Sequence, residues 1–193
     1  MNVTIQVDVS GHPEALLQRM EQALKPEQIG PLLGRAGVNL LREHFVQLDS
    51  SRPNALGGER THFYSSAAEG TSFTVDAEGA LLAVNKIGIR QRYYGGTVEA
   101  KDKLLTIPAR AETYGHRASE FNDLRCITFK SGAKALVELP AAKGDKLVVM
   151  FWLRESVTQR ADPTVLPSDE AMYTALNDTA SEYLALITER AAA

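Results

Sequence analysis

Metal sites need His, Cys or carboxylate ligands at short, repeated spacings. His12, His44, His62 and His116 form no such pattern, with no HExxH and no CxxC. No metal ligand set is read from them, and His44 falls on a helix stripe where a structural role fits better. Cys126 is the only cysteine. It lies in a strand-like run without a recognisable base, so it reads as a small buried hydrophobe rather than a nucleophile. Ser131-Gly132-Ala133-Lys134 has the Ser-x-x-Lys spacing of some acyl-transfer enzymes. That chemistry sets the serine at the start of a helix with the lysine one turn on. Here the four residues read as a β-turn entering a strand, which points the two side chains elsewhere. Glu112, Glu120 and Asp123 are acid–base candidates only if the fold gathers them; the default is a solvated surface. There is no P-loop, and Tyr94-Gly95-Gly96-Thr97 is not a dinucleotide fingerprint. The expectation is a chain that is not an enzyme and has no catalytic, metal or cofactor-binding residues.

Charge is more informative. Lys86, Arg90, Arg92, Lys101, Lys103, Arg110 and Arg117 face only Glu99, Asp102 and Glu112 in the same stretch. A basic segment in an acidic protein meets phosphate or an acidic protein surface. The plain alternative is a solvated hairpin whose lysines discourage edge pairing. Tyr93 and Tyr94 beside the arginines suit base stacking on a nucleic-acid strand. The whole chain, at net charge −3, lacks the basic balance of a nucleic-acid binder.

These residues must be positioned by the surrounding elements. Val3 to Val9 alternates apolar and polar residues, which predicts a half-buried strand. A helix is expected from Pro13 to about Lys25, with Leu16, Leu17, Met20 and Leu24 facing inward. A second is expected from about Pro31 to Leu48, along Leu33, Ala36, Leu40, Leu41, His44, Phe45 and Leu48. Gly34 and Gly37, nearly one turn apart, offer a packing seam or are merely tolerated. Asp49 to Arg60 reads as a loop, and Thr61 as the cap of a short helix ended by Gly70.

Thr71–Val75 and Ala80–Asn85 predict two strands around an Asp76–Gly79 turn. Ile87–Arg110 follows, with a Tyr93-Tyr94-Gly95-Gly96 turn. Its Val98 and Ala100 are expected to pair with Leu105 and Ile107 in a hairpin over about residues 97–107. Leu124–Phe129, Ala133–Leu139 and Lys146–Leu153 predict a meander whose last strand is central and holds Trp152 in the core. Residues 155–167 read as an extended arm kept out of helix by Pro163 and Pro167. Ser168 caps a final helix with a Met172, Leu176, Thr179, Tyr183 and Ile187 stripe.

A chain of 193 residues with 44% hydrophobic residues suits a single domain with extended arms. The start lacks the basic and apolar regions of a signal peptide, and the lone cysteine fits a reducing cytoplasm. The longest apolar run, Leu147–Leu153, is too short to cross a bilayer, so no membrane partner is expected.

One arrangement is more specific. A basic cluster precedes Tyr94-Gly95-Gly96, then come Lys101 and Ile107-Pro108-Ala109-Arg110. Later the run FWLRESVTQRADPTVLPSDE joins a strand, a proline-bearing arm and a capped helix. In that order these pieces resemble the virion-morphogenesis, or tail-completion, proteins of tailed phages and Mu-like prophages. The likeness covers about Arg60 to Leu186 and, in outline, the first third. The chain departs by inserting Glu112 to Asn122 and by its well-marked first strand. The tail-completion role and a neighbouring neck or minor tail role therefore both stay open.

The resemblance implies an α+β fold, with a curved, mainly antiparallel sheet packed against a long N-terminal-half helix and a C-terminal helix. It also implies a structural protein of the virion neck, acting as a homo-oligomeric ring among other tail or neck proteins, with weak contact to passing DNA. Its place would be the host cytoplasm during assembly and then the virion neck or tail. The contact candidates are Arg90, Arg92, Tyr93, Tyr94, Gly95, Gly96, Lys101, Lys103, Arg110, Pro163 and Pro167. The alternative is a small basic-patch nucleic-acid module or an unidentified enzyme, drawing on His116.

Overall fold

A computed structural model describes residues 13–53, 60–139 and 147–192. The Val3–Val9 strand, residues 54–59 of the Asp49–Arg60 loop and the turn around Ala142–Asp145 lie outside the described residues. The fold is α+β, and among the described residues the strands form three antiparallel sheets. The described residues gather into two compact units. One takes the chain up to His44, Ala67–Asn85 and the part from Leu166 onward; the other takes Phe45–Ser66 and Lys86–Val165.

The first unit holds α1 (Pro13–Ala23), most of α2 (Pro26–Ser51) and the end of α3 (Phe63–Glu69). It also holds the hairpin β1 (Thr71–Asp76) and β2 (Gly79–Val84). On α1 the inward face is Leu16, Met20 and Ala23, while Leu17 and Leu24 are exposed, against expectation. Residues 16, 20 and 23 share one helical face; 17 and 24 lie together about a quarter-turn away.

Helix α2 begins at Pro26, so Pro31 is inside it rather than at its start. Proline there removes one hydrogen bond close to the helix start. Gly30 before it has no Cβ to meet the ring.

The small residues of α2 are a seam. A Cβ on Gly34 would lie 2.3 Å from Phe73 Cδ2 and 2.7 Å from Cγ, and one on Gly37 would lie 2.6 Å from Leu82 Cδ1. Phe73 and Leu82 are cross-strand partners on the inner face of the hairpin. What the glycines admit is thus a side-chain pair. Asp76 Oδ1 closes the hairpin by accepting from the amides of Glu78 and Gly79. Arg42 donates to the carbonyls of Ala68 and Thr71, which ties the end of α3 and the start of β1 to α2.

In the second unit α4 (Ile89–Tyr94) is followed by β3 (Gly96–Glu99) and β4 (Leu105–Pro108). Two short 3-10 turns, Ala111–Thr113 and Ala118–Glu120, occupy the inserted segment. The meander follows as β5 (Leu124–Thr128), β6 (Lys134–Glu138) and β7 (Val148–Arg154). β8 (Ser156–Gln159) and a 3-10 turn at Pro163–Val165 complete it.

The four-stranded sheet runs β4-β7-β6-β5, so β7 is central as expected. Ala135, Val137, Met150 and Phe151 are buried there, and Trp152, half-buried, packs on Phe129. The register slips between Leu136 and Val137, leaving Met150 as an extra residue on β7. Its carbonyl is taken by the Ala109 amide and the buried Thr113 hydroxyl. Cys126 is exposed, which corrects the reading of it as a buried residue.

The expected 97–107 hairpin does not form. Val98 pairs with Val157 in a separate β3–β8 ribbon, while Leu105 pairs with Arg154 and Ile107 with Trp152. β3 and β4 thus run together against β7 and β8. Residues 100–104 loop out opposite Glu155 alone, whose carbonyl accepts from the Ala100 amide at 2.8 Å. The physical reason is turn chemistry. Ala100-Lys101-Asp102-Lys103 has no glycine or asparagine for a tight primed turn, and β7–β8 offers a free edge instead. Part of the 155–167 arm is therefore a paired strand.

The closing helix of the first unit, α5 (Asp169–Ala192), is capped by Ser168 Oγ, which accepts from the Ala171 amide at 3.2 Å. Met172, Leu176, Thr179, Tyr183 and Ile187 form a half-buried stripe on it.

In an exposed helix, glycine to alanine gains about 1 kcal/mol. At Gly34 the sign reverses, because the whole Phe73 ring must shift. Gly34→Ala is expected to lower stability in urea denaturation by roughly 1–3 kcal/mol. Adding Phe73→Leu should recover part of the loss. An alanine variant at least as stable as wild type would show that the seam has room.

Candidate functional site

An enclosed cluster of polar side chains lies in the second unit, and four short segments build it. The last turns of α2 bring Asp49 and Arg52. The start of α3 brings His62, Phe63 and Tyr64. Helix α4 brings Arg92, and the chain after β8 brings Asp162. They line a cavity of about 170 Å³ together with Arg60, Thr61 and Tyr114.

Asp49 sets the α3 end. Its Oδ1 accepts from the amides of Tyr64 and Ser65, each at 3.2 Å, and its Oδ2 lies 3.0 Å from His62 Nδ1. This remote carboxylate does the capping expected of Thr61. His62 enters the helix with φ 50, in the left-handed region where a residue with a Cβ is strained.

Asp162 sets the other end. Its amide donates to the carbonyls of Arg92 and Tyr93, at 3.0 and 3.2 Å, and so closes the open end of α4. Its carboxylate accepts from Arg52 Nη1 at 2.7 Å and from the Thr164 amide and hydroxyl. Gly95 makes the crossing possible: at φ 68 its Cβ position lies 2.5 Å from the Ala161 amide nitrogen, so only glycine fits.

The buried Tyr64 hydroxyl accepts from Arg52 at 2.8 Å and lies 3.5 Å from Arg92 Nη1. Arg92 also donates to the Tyr114 hydroxyl at 2.8 Å, and its guanidinium covers the Phe63 ring at 3.9 Å. Burial works against the Arg52 charge; its bonds to Asp162 and Tyr64 outweigh that and raise its pKa. The Thr164 hydroxyl, opposed by burial and aided by Arg52, holds the Asp162 carboxyl below its ordinary value.

The other candidates are dispersed. Arg90 lies over Tyr94, 5.9 Å from the ring centroid, and Tyr93 meets Tyr94 edge-on. Gly96 accepts at its carbonyl from Gln91. Lys101 and Lys103 sit exposed on the looped-out segment. Arg110 pairs with Glu112 at 2.6 Å. Pro163 opens a 3-10 turn, and Pro167 precedes α5.

The carboxylates do not gather as an acid–base pair. Glu120 binds His116 at 2.7 Å, and that bond, with the Arg117 amide, holds its carboxyl below the usual range. Ser131 lies in a turn and Lys134 opens β6, so the Ser-x-x-Lys spacing has no helix beneath it. Among the described residues no three His, Cys, Asp or Glu side chains group as metal ligands.

Sequence reasoning missed Arg52, Asp49, Tyr114 and Asp162. Arg52 and Asp162 are 110 positions apart and carry no mutual signal. Asp162-Pro163-Thr164 does have the form of a side-chain-capped turn, which was available to find Asp162.

No family model, curated protein or solved structure matches the chain.

Asp162 is ionised more readily in the fold than in the unfolded chain. Its contribution is therefore present above the ordinary carboxylate range, near pH 4, and lost as pH falls through its lower folded value. Asp162→Asn is expected to cost about 1 kcal/mol at pH 7, since solvent screens this half-exposed pair. Urea titrations should show the difference between wild type and variant shrinking from about pH 5 to pH 3. A difference that stays constant across that range would contradict the assignment.

Proposed function

We propose that the chain is a structural virion-assembly protein, not an enzyme, which completes the tail or joins head and tail as a ring-forming oligomer. The sequence pattern from Arg60 to Leu186 motivates the reading. The observation in the fold that supports it is the β3–β8 ribbon. All four β3 residues are exposed, and in β8 only Val157 is half-buried. A two-stranded ribbon with so little burial is marginal by itself. Val98 within it is 44% exposed, and just before it along the chain Ile87 and Tyr94 are 95% and 69% exposed.

Large apolar side chains and open strand edges displayed together suit contact with another protein surface. The contact element is then an anchored ribbon with a looped-out lysine-bearing segment, in place of a free hairpin. Ring interfaces join unlike patches; Arg90, Tyr94 and Gly96 share one surface site and suit one such patch, while Lys101 and Lys103 stand apart on the looped-out segment. Other tail or neck proteins are the partners this reading names, in the host cytoplasm during assembly and then in the virion neck or tail. No helix among the described residues is long and apolar enough to cross a membrane.

Light scattering on the purified chain, alone and with tail-tube protein, tests the reading. The expected result is a discrete oligomer in one of the two samples, lost in Val98→Asp while circular dichroism is unchanged. A strict monomer that binds no virion component at any concentration would sink it.

A further inference from the structure

The cavity at the start of α3 has more positive than negative charge built into it. Arg52 and Arg92 both reach the single Tyr64 hydroxyl, and each guanidinium carbon lies 5.4 Å from that ring's centroid. Like charges this close repel unless something negative is shared between them. The Asp162 carboxylate answers Arg52, and it also accepts from the Thr164 amide and hydroxyl. Asp49 is committed to the two α3 amides and His62. Among the described residues Arg92 forms no ion pair. Its hydrogen bonds go to the hydroxyls of Tyr64 and Tyr114, which leaves donors on its fork unused.

Two further cations lie close by, with the Glu112 carboxylate lining the wider cavity beside them. Arg60 lines this cavity and the wider one adjoining it, and Lys86 lines the second while its ammonium lies 5.1 Å from the Phe63 centroid. Phe63 therefore meets both Lys86 and Arg92. The donors come from four chain segments and so from several directions. A flat carboxylate would engage a single fork; a tetrahedral group with oxygens on all sides matches a convergent set.

We infer that this cavity is a binding site for a phosphate-type oxyanion, held by the Arg92 guanidinium and the Tyr114 hydroxyl, with Arg52 and Arg60 completing the charge. A volume of about 170 Å³ has room for the ion or for the terminal phosphate of a small ester. Once bound, the anion links the end of α2, the start of α3 and α4, so it also stabilises the fold. The inference does not depend on the assembly reading.

The test is isothermal titration of the full chain with inorganic phosphate, at ionic strength held constant with sodium chloride. Saturable one-to-one binding is expected, competed by sulfate. Arg92→Met, which keeps the apolar stem over Phe63, should weaken it roughly tenfold to a hundredfold. Arg60→Gln, at an exposed position, should weaken it less. If Arg92→Met loses its near-UV dichroism, Arg60→Gln and Arg92→Lys decide instead: both are expected to bind more weakly, and unchanged affinity in both overturns the site.

Absence of saturable binding in wild type overturns the inference, as does full affinity in a folded Arg92→Met. Acetate binding as tightly as phosphate overturns the tetrahedral assignment. A 5′-phosphorylated dinucleotide, compared with its unphosphorylated form, then distinguishes the two supporting cases. Tighter binding than phosphate itself marks a phosphoester site, and binding of phosphate alone marks a free-ion site.

Discussion

The second unit depends on one residue being used twice. The Asp162 carboxylate takes the Arg52 guanidinium, and the Asp162 amide takes the last carbonyls of α4. Two elements beside it are weak alone. Helix α4 has six residues, below the length at which a helix holds itself in water. The β3–β8 ribbon has two strands and little burial. The anchor joins the end of α4 to the chain just after β8, two short segments whose own side chains supply almost no core. Arg52 loses solvation in the process, and the bonds to Asp162, Tyr64 and Thr164 offset that loss.

What was legible in the sequence was local. The β1–β2 hairpin was readable because alternation and an Asp-to-Gly turn coincide at residues 71–84. The β5–β6–β7 order was readable because strands consecutive in the chain commonly pair. Ser168 announced α5, since a hydroxyl before Asp-Glu is a cap signal. The glycines of α2 announced a close approach without saying that Phe73 and Leu82 would fill it.

What was illegible was non-local. The partners of β3 and β4 lie some fifty residues away, and nothing in Thr97–Glu99 favours Val157 over a nearer strand. Arg52 looked like a loop residue and Asp162 like part of an arm; their meeting is a property of the fold alone. Cys126 was misread because β5 is the edge strand of its sheet, where only Leu124 and Ile127 are half-buried, and a single strand's sequence does not say that it lies at an edge. The basic stretch, continuous in sequence, serves separate tasks in space. Arg92 turns into a cavity, Arg110 meets Glu112, and Lys101 and Lys103 face water.

The looped-out segment carries a further consequence. Residues 100–104 stand opposite Glu155 alone, with the pairing set on either side by β3–β8 and β4–β7. The register is therefore held by its flanks and owes nothing to the length of the excursion. Closing a longer loop between two fixed ends costs little extra entropy, about 0.6 kcal/mol per doubling. This is a point where the chain can accept added residues, a label or a small inserted module while every strand keeps its partner.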